Sequence, residues 1–378
     1  MKILFMVESP DCWKSGIWFH RIETPSRALK KRGHGIKQIA IGNPVPQEFM
    51  DWPDTVVFGR IYNAAFDPIK LMRDYRKAGK RILYDMDDDF WQVTKDNPSV
   101  LVSNALKDQY EGMIREADAI ITPSNILAKK FKKLGKPVHI CPNGINYGLY
   151  HERSHEHKDM MIGYMGAASH WKDLTIVIDA LEELYRDYNF YFVIYGMVGE
   201  PMEAAMYSYG KTLGSGLQPE KNVYYKSALD FYSKLKKLKM IHIPFYPPEL
   251  HPSVLARADF DIGIAPLENT EFNRGKSCIK FYEYAATGAV TLASDVEPYK
   301  SEVNYRAKNT KKDWYKKLKR LLDDDKFRKD LLEKQRKYVK ETRNLDNLAL
   351  DWELACQLPG GLPVLNQEKD EDTNSTLE

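Results

Sequence analysis

Residues 259–299 read DFDIGIAPLENTEFNRGKSCIKFYEYAATGAVTLASDVEPY. Phe260–Ala265 is an apolar run of strand length, and Val290–Ala293 is a second. Between them the spacing predicts a helix that begins near Ser277 and stops at Gly288. Ile279, Tyr282 and Ala286 share one face of that helix, at i, i+3 and i+7, and are expected to pack on a sheet. Lys276, Lys280 and Glu283 share another. Two fully apolar strands joined through a helix imply a βαβ unit in a parallel sheet covered on both faces.

The same alternation extends outward in both directions. Toward the N-terminus, strands are expected at Lys2–Val7, Ile36–Ile41, Thr55–Gly59, Arg81–Tyr84, Ala119–Thr122 and Val138–Cys141. Helices fall between them at His20–Arg32, Pro68–Ala78, Leu101–Glu116 and Asn125–Leu134. A polar stretch, His151–Lys158, then reads as a solvated linker. The pattern restarts with strands at Met161–Tyr164, Tyr191–Tyr195, Val223–Tyr225 and Met240–Ile243, and a helix at Leu174–Arg186. From Trp314 the chain is helical and charged, with Trp314, Leu318, Leu321 and Leu322 on one face. The expected architecture is α/β: two Rossmann-like doubly wound domains facing a cleft, with C-terminal helices crossing back to the first domain. The boundaries are 1–150 for the first domain, 159–340 for the second, 341–358 for the returning helix and 359–378 for a polar, acidic, disordered tail.

Composition narrows the function. The chain has 378 residues, 43% apolar and 29% charged, enough apolar content to build cores and of a length that suits two domains. Net charge is +3, so no global basic field advertises nucleic acid. Cys12, Cys141, Cys278 and Cys356 are far apart, with no C-x-x-C pair. That argues against a disulfide framework or structural zinc and for reduced thiols in a cytoplasmic protein. The opening MKILFMVESP turns polar too soon for a signal peptide, and no stretch approaches the ~18 apolar residues of a membrane span.

The chemistry gathers in the quoted stretch. Asn273-Arg274-Gly275 and the helix entrance at Ser277-Cys278 bring backbone N–H groups to the crevice beyond the strands, at an end carrying about half a positive charge. Arg274, Lys276 and Ser277 add cationic and hydroxyl donors, and Glu283, nearly two turns on, suits the hydroxyls of a ribose. The competing reading is an exposed helix face with an ordinary Lys280–Glu283 pair. The convergence of anion-binding groups between two apolar strands favours a nucleoside diphosphate site. A P-loop ranks well below, because its first glycine position holds Thr270, and a dinucleotide site ranks lower still, because only Gly16 follows the first strand and there is no G-x-G-x-x-G.

FNRGKSCIKFYEYAATGAV resembles the donor-binding core of the retaining GT-B glycosyltransferases of family 4, in a branch with an F-N-x-x-K-S-x-x-K-x-x-E-Y pattern. Glu283 matches the second Glu of that family's E-x7-E motif, and Gly275 stands at the first. Ile162-Gly163-Tyr164-Met165-Gly166, followed by Ser169-His170-Trp171-Lys172-Asp173, resembles the glycine turn that lies against the donor phosphates. Pro142-Asn143-Gly144-Ile145-Asn146 resembles the interdomain crossing, and Ser15-Gly16 with Arg21 and Pro25 the first loop. Trp314, Leu321-Leu322, Arg328 and Trp352 resemble the terminal helices. The resemblance implies sugar transfer with retention from a UDP- or GDP-sugar to an acceptor hydroxyl, on a glycan or lipid-linked saccharide, with no bound metal and no other cofactor. It also makes Lys276 and Lys280 diphosphate ligands.

In the first domain, Tyr84-Asp85-Met86-Asp87-Asp88-Asp89-Phe90-Trp91 ends a strand at the cleft. One or two of Asp85, Asp87 and Asp88 are expected to orient the acceptor, Asp89 to cap a helix, and Trp91 to stack on a sugar. His170 is the histidine best placed to act, ahead of His20 and His242, and Tyr246 in its proline-rich loop is placed to stack on a base. The expected catalytic set is Lys276, Lys280, Asp87, Asp88 and His170. The expected donor-binding set is Gly16, Gly166, Ser169, Lys172, Arg274, Gly275, Ser277, Cys278, Glu283 and Tyr246, with no metal ligands. The alternatives are transfer to a hydroxymethylated base in DNA, a nucleotide-sugar epimerase, and a non-catalytic sugar-nucleotide sensor. Lys129-Lys130, Lys132-Lys133 and Lys234–Lys239 read as solvated helix faces, with phosphates or the inner membrane face as the other partners they suit. Oligomeric state is not legible.

Overall fold

The computed structural model describes residues 1–7, 15–40, 45–60, 67–94, 100–152, 157–167, 170–196 and 230–357. Among the sequence expectations, Ser169, Cys12, the strand Val223–Tyr225 and the tail 359–378 lie outside them.

Two six-stranded, wholly parallel sheets organise the chain. The first comprises β1 (Lys2–Val7), β2 (Gly35–Ala40), β3 (Thr55–Phe58), β4 (Arg81–Asp85), β5 (Ala119–Thr122) and β6 (Val138–Ile140), in the order β2-β1-β3-β4-β5-β6. The second comprises β7 (Met160–Met165), β8 (Phe190–Tyr195), β9 (Met240–Ile243), β10 (Ile262–Ala265), β11 (Val290–Ser294) and the two-residue β12 (Arg306–Ala307), in the order β12-β11-β10-β7-β8-β9. The strand order reverses between β1 and β3 in one sheet and between β7 and β10 in the other. At such switch points the loops diverge to opposite faces and leave a crevice for ligands. The inner strands are apolar from end to end because helices cover both faces, while the edge strand β9 leaves His242 exposed rather than in a core.

The helix of the quoted stretch spans Ile279–Thr287 and ends on Gly288, whose φ of 89° is the left-handed cap glycine accepts without strain. It begins two residues later than the spacing predicts. Thr270 caps a separate turn, Glu271–Arg274, its hydroxyl accepting from the Asn273 N–H, and that turn absorbs the preceding residues. The expected face is also shifted: Tyr284, not Tyr282, lies on the sheet. A Cβ at Gly263 would sit 2.3 Å from the Tyr284 ring, so the glycine makes room for it. The Tyr284 hydroxyl accepts from Met165 N–H and donates to the Ile264 carbonyl. Tyr282 points the other way, to Glu302, because the helix Asp325–Thr342 covers the outer side.

The last described helix, Leu345–Gln357, returns to the first sheet. Leu345, Leu348, Ala349, Trp352, Ala355 and Cys356 make its buried stripe at helical spacing. Trp352 is fully buried, its ring 5.7 Å from Phe5 of β1. Cys141, Cys278 and Cys356 are free and buried. Among the described residues no helix is long and apolar enough to cross a membrane. Replacing Trp352 with Ala removes the anchor of this crossing and is expected to cost about 3–5 kcal/mol of stability. A lower denaturant midpoint checks it, and an unchanged midpoint would show that the helix does not hold the first domain.

Candidate functional site

The two switch points face one another across the cleft. On the first-domain side, the ends of β1, β3 and β4 and the segment Ser15–Ile22 line a shallow pocket open to solvent, with Ser15, Trp18, Arg21, Arg60 and Asp87 among its residues. Gly16 opens this segment, which is wound as a π-helix over Phe19–Glu23. Such windings recur at functional sites. On the second-domain side, Gly166 follows β7, and the loop after β10 leads to Lys276 and the helix Ile279–Thr287.

A chain of polar contacts joins the two sides. Arg21 is buried and grips Asp85 through Nε and Nη2 at 3.0 and 2.5 Å. Its Nη1 donates to the Cys141 carbonyl and to Asn143 Oδ1, and Asn143 Nδ2 donates to Ser277 Oγ at 2.8 Å. The Ser124 hydroxyl donates to the Gly275 carbonyl. A Cβ at Gly275 would lie 2.7 Å from buried Leu127 of the first domain. Close packing between the domains therefore leaves little room for a side chain at this position.

At the helix entrance Cys278 is the N-cap residue and no side chain caps the first amides, which leaves their N–H groups facing the cleft end of the helix. Lys276 Nζ is 3.4 Å from Asp88 Oδ1 across the cleft. Lys280 Nζ lies over the Tyr164 ring, 5.6 Å from its centroid. Among the described residues no carboxylate pairs with it. Burial pushes the Lys280 ammonium pKa down; Asp173 counters this and Lys276 adds to it. His170 Nδ1 is 2.9 Å from Asp173 Oδ2. Burial lowers its pKa, the Asp173 bond opposes that, and Lys280 and Lys276 push it lower, so the imidazole is held toward its neutral form beside two ammonium groups.

Glu283 is almost wholly buried, at 1% exposure. The Tyr150 hydroxyl donates to its Oε1 at 2.6 Å, His251 Nε2 lies 2.9 Å from the same oxygen, and His20 Nε2 approaches it at 3.6 Å from the first domain. Burial alone would raise its pKa, but His251, His20 and Tyr150 bring it to about 2. Burial conversely pushes His20 down to about 4, against the pull of Glu283. Tyr246 packs, half-buried, in the same apolar cluster as Tyr195.

The acids of the first domain divide by partner. Asp85 belongs to Arg21. Asp87 and Asp88 lie 3.5 and 3.2 Å from Arg60 Nη1. Burial raises the Asp87 carboxyl, Arg60 opposes this, and Asp88 adds to it. Asp89 does not cap a helix: it accepts from the Trp91 N–H within a turn and pairs with Lys130. Trp91 packs edge-on to Tyr110 and Phe131 in the core rather than across the cleft.

Lys276, Lys280, His170, Gly166, Ser277, Glu283, Asp87 and Asp88 thus come together. Three expected side chains do not. Arg274 turns back to Asn269 and Glu271, because its place one turn after Glu271 makes the local pair the nearest charge. Lys172 lies 3.7 Å from Glu268. The Cys278 thiol is buried against the Pro298 carbonyl. The residue pattern does not single out His251, Tyr150 or Arg60, all of which reach the site. Pro252 in the first turn of the helix His251–Arg257 marks where that helix begins, but nothing local ties His251 to a carboxylate 32 residues on. Among the described residues no group of three or more His, Cys, Asp or Glu could hold a metal ion.

No family model and no curated protein sequence matches this chain. Solved structures do. HepE of Anabaena, in complex with UDP and glucose, superposes with a TM-score of 0.65 at 13% identity over 95% of this chain and all of its own. A glycosyltransferase from Rickettsia africae gives 0.61 at 14% identity over 94% of this chain and 97% of its own. An α-glucosyltransferase in complex with UDP-glucose and DNA containing an abasic site gives 0.64 at 12% identity over 94% and 99%. The chain has the GT-B fold shared by these glycosyltransferases.

The pKa of His20 carries a stability consequence. Its folded value of about 4 lies below the ordinary histidine value of 6.5, so the unfolded chain binds the proton more readily. Stability is therefore lost as pH falls from 6.5 toward 4, by about 3 kcal/mol. The variant H20Q is expected to flatten this part of the melting-temperature profile relative to the parent; parallel profiles would show that His20 titrates normally.

Proposed function

We propose that this protein is a glycosyltransferase that moves a sugar from a UDP- or GDP-sugar to an acceptor hydroxyl, with retention of anomeric configuration. The observation that carries the reading is the half-buried Lys280 ammonium, without a carboxylate partner among the described residues, beside Lys276 at an uncapped helix N-terminus. Two neighbouring ammonium groups at a helix N-terminus suit an anion, and a diphosphate spans both lysines and the helix amides. The structural neighbours that hold UDP or UDP-glucose support it.

In the reaction the anomeric C–O bond to the diphosphate breaks and a C–O bond to the acceptor forms, while the acceptor hydroxyl loses its proton. Negative charge grows on the leaving diphosphate. Lys276, Lys280, the Ser277–Cys278 entrance and the Gly166 turn stabilise it with donors already in place. Positive charge held by the protein does this work in place of a metal ion. Glu283 receives the ribose hydroxyls and Tyr246 lies beside the base. Asp87, its carboxyl raised by burial, accepts from the acceptor hydroxyl, and Asp88 helps set Lys276. His170, held toward neutrality by burial, donates to the sugar or its phosphate without adding charge.

The acceptor in this reading is a glycan or lipid-linked saccharide, met in the cytoplasm or at the inner membrane face. A second reading, a hydroxymethylated base in DNA, is favoured by the neighbour that binds DNA. An acceptor panel of saccharides, lipid-linked saccharides and hydroxymethylated duplex separates them. Donor loss without acceptor, as an interconverted sugar, would instead establish an epimerase, and binding without turnover a sensor.

Replacing Lys280 with Ala is expected to lower kcat on the order of 10²-fold, the scale of one charge-stabilising donor. Replacing Glu283 with Gln is expected to weaken nucleotide binding by about tenfold or more. Steady-state kinetics and titration calorimetry check these, and unchanged values would remove each residue from its role.

A further inference from the structure

We propose that Tyr195 and His251 are positioning residues that fix the Glu283 carboxylate, so that the site selects ribonucleoside over 2′-deoxyribonucleoside diphosphates. The inference rests on the ribose role of Glu283 proposed above.

The relay runs from β8 into the second-domain helix. Tyr195, the last residue of β8, stacks on the His251 ring with centroids 5.2 Å apart and an interplanar angle of 19°. Its hydroxyl lies 2.9 Å from His251 Nδ1, and His251 Nε2 lies 2.9 Å from Glu283 Oε1. Glu283 is ionised above about pH 2 and can only accept, so Nε2 carries the proton. In the neutral ring Nδ1 then accepts from Tyr195, whose hydroxyl burial keeps protonated. One tautomer and one ring orientation satisfy both contacts, the arrangement that second partners impose on functional histidines.

Among the described residues, every side chain that reaches the Glu283 carboxylate reaches the same oxygen. Tyr150 and His251 bond Oε1, and His20 approaches it from the first domain. The terminal torsion of a glutamate is soft, so an unrestrained carboxylate would offer either oxygen at many angles. Two hydrogen bonds to Oε1 set its plane and leave Oε2 as the acceptor for an incoming hydroxyl. A 2′-deoxy ligand would bury that oxygen without its donor. A site built around such a bond rejects an analogue that lacks it more strongly than an apolar pocket rejects a missing methylene.

The test is calorimetric titration of the full chain with UDP, GDP and their 2′-deoxy analogues. For the base that binds, the wild type is expected to favour the ribonucleotide by about tenfold or more. H251A is expected to cut that ratio to within about threefold, whereas H251Q, whose amide can still donate to Oε1, keeps most of it. Y195F retains the ring stack and lacks only the hydroxyl; it too is expected to lower the ratio, and it supplies the reading if H251A fails to fold. A ratio of wild-type size in Y195F and in a folded H251A overturns the relay while leaving the nucleotide site standing. A wild type that binds ribo and deoxy forms equally overturns the ribose role of Glu283. A wild type that binds neither base overturns the nucleotide reading and this inference with it.

Discussion

Arg21 is a charge buried between two domains, and each side of its guanidinium must find an acceptor. A buried ion with one partner removed costs several kcal/mol, so its contacts act as a unit. Asp85 takes two of its donors at the end of β4, and the interdomain crossing takes the rest through Cys141 and Asn143. The Trp352 ring of the returning helix lies 5.0 Å from the guanidinium carbon. Asn143 passes the constraint on to Ser277 at the mouth of the second-domain helix. One residue thereby ties the first sheet, the crossing, the C-terminal helix and the anion-facing helix entrance into a single arrangement. The opposition of the two switch points depends on it.

Charge in the cleft is then nearly balanced, and the balance has a purpose. Arg21, Arg60 and Lys276 have carboxylate partners in Asp85, Asp87 and Asp88. Lys280 has none among the described residues, and its neighbour Asp173 is already engaged by His170 and by the Glu268 N–H. Positive potential is therefore concentrated at one helix end rather than spread over the cleft, which suits a compact dianion. Glu283 lies deeper, with Tyr150 and His251 bonded to one of its oxygens. Two different polar environments thus lie within two turns of one helix.

Much of this arrangement is legible in the residue pattern. Apolar runs of strand length, separated by amphipathic stretches, place strands at Lys2–Val7, Ala119–Thr122 and Met240–Ile243 with the bounds observed. The stretch proposed to bind the nucleotide stands out because its polar donors sit within a dozen residues between two strands. The pattern misleads where local competitors intervene. Thr270 captures a helical turn, so the main helix starts at Ile279, and Glu271 captures Arg274. Helix Leu101–Glu116 breaks at Leu106, where nothing in the apolar spacing marks an interruption.

The amino-acid order by itself determined the alternation of strand and helix, the parallel character of both sheets and the closeness of Lys276, Lys280 and Glu283 along the chain, because periodicity and close spacing are properties of the chain. Only the tertiary structure decided which distant groups meet. His251 comes from 32 residues away and Tyr150 from 133 to one oxygen of Glu283, where His20 joins them from the other domain, and Arg21 finds Asp85 across 64. Such contacts are made where segments distant in the chain converge between the two sheets, and the burial that gives them their strength exists only once the sheets have formed.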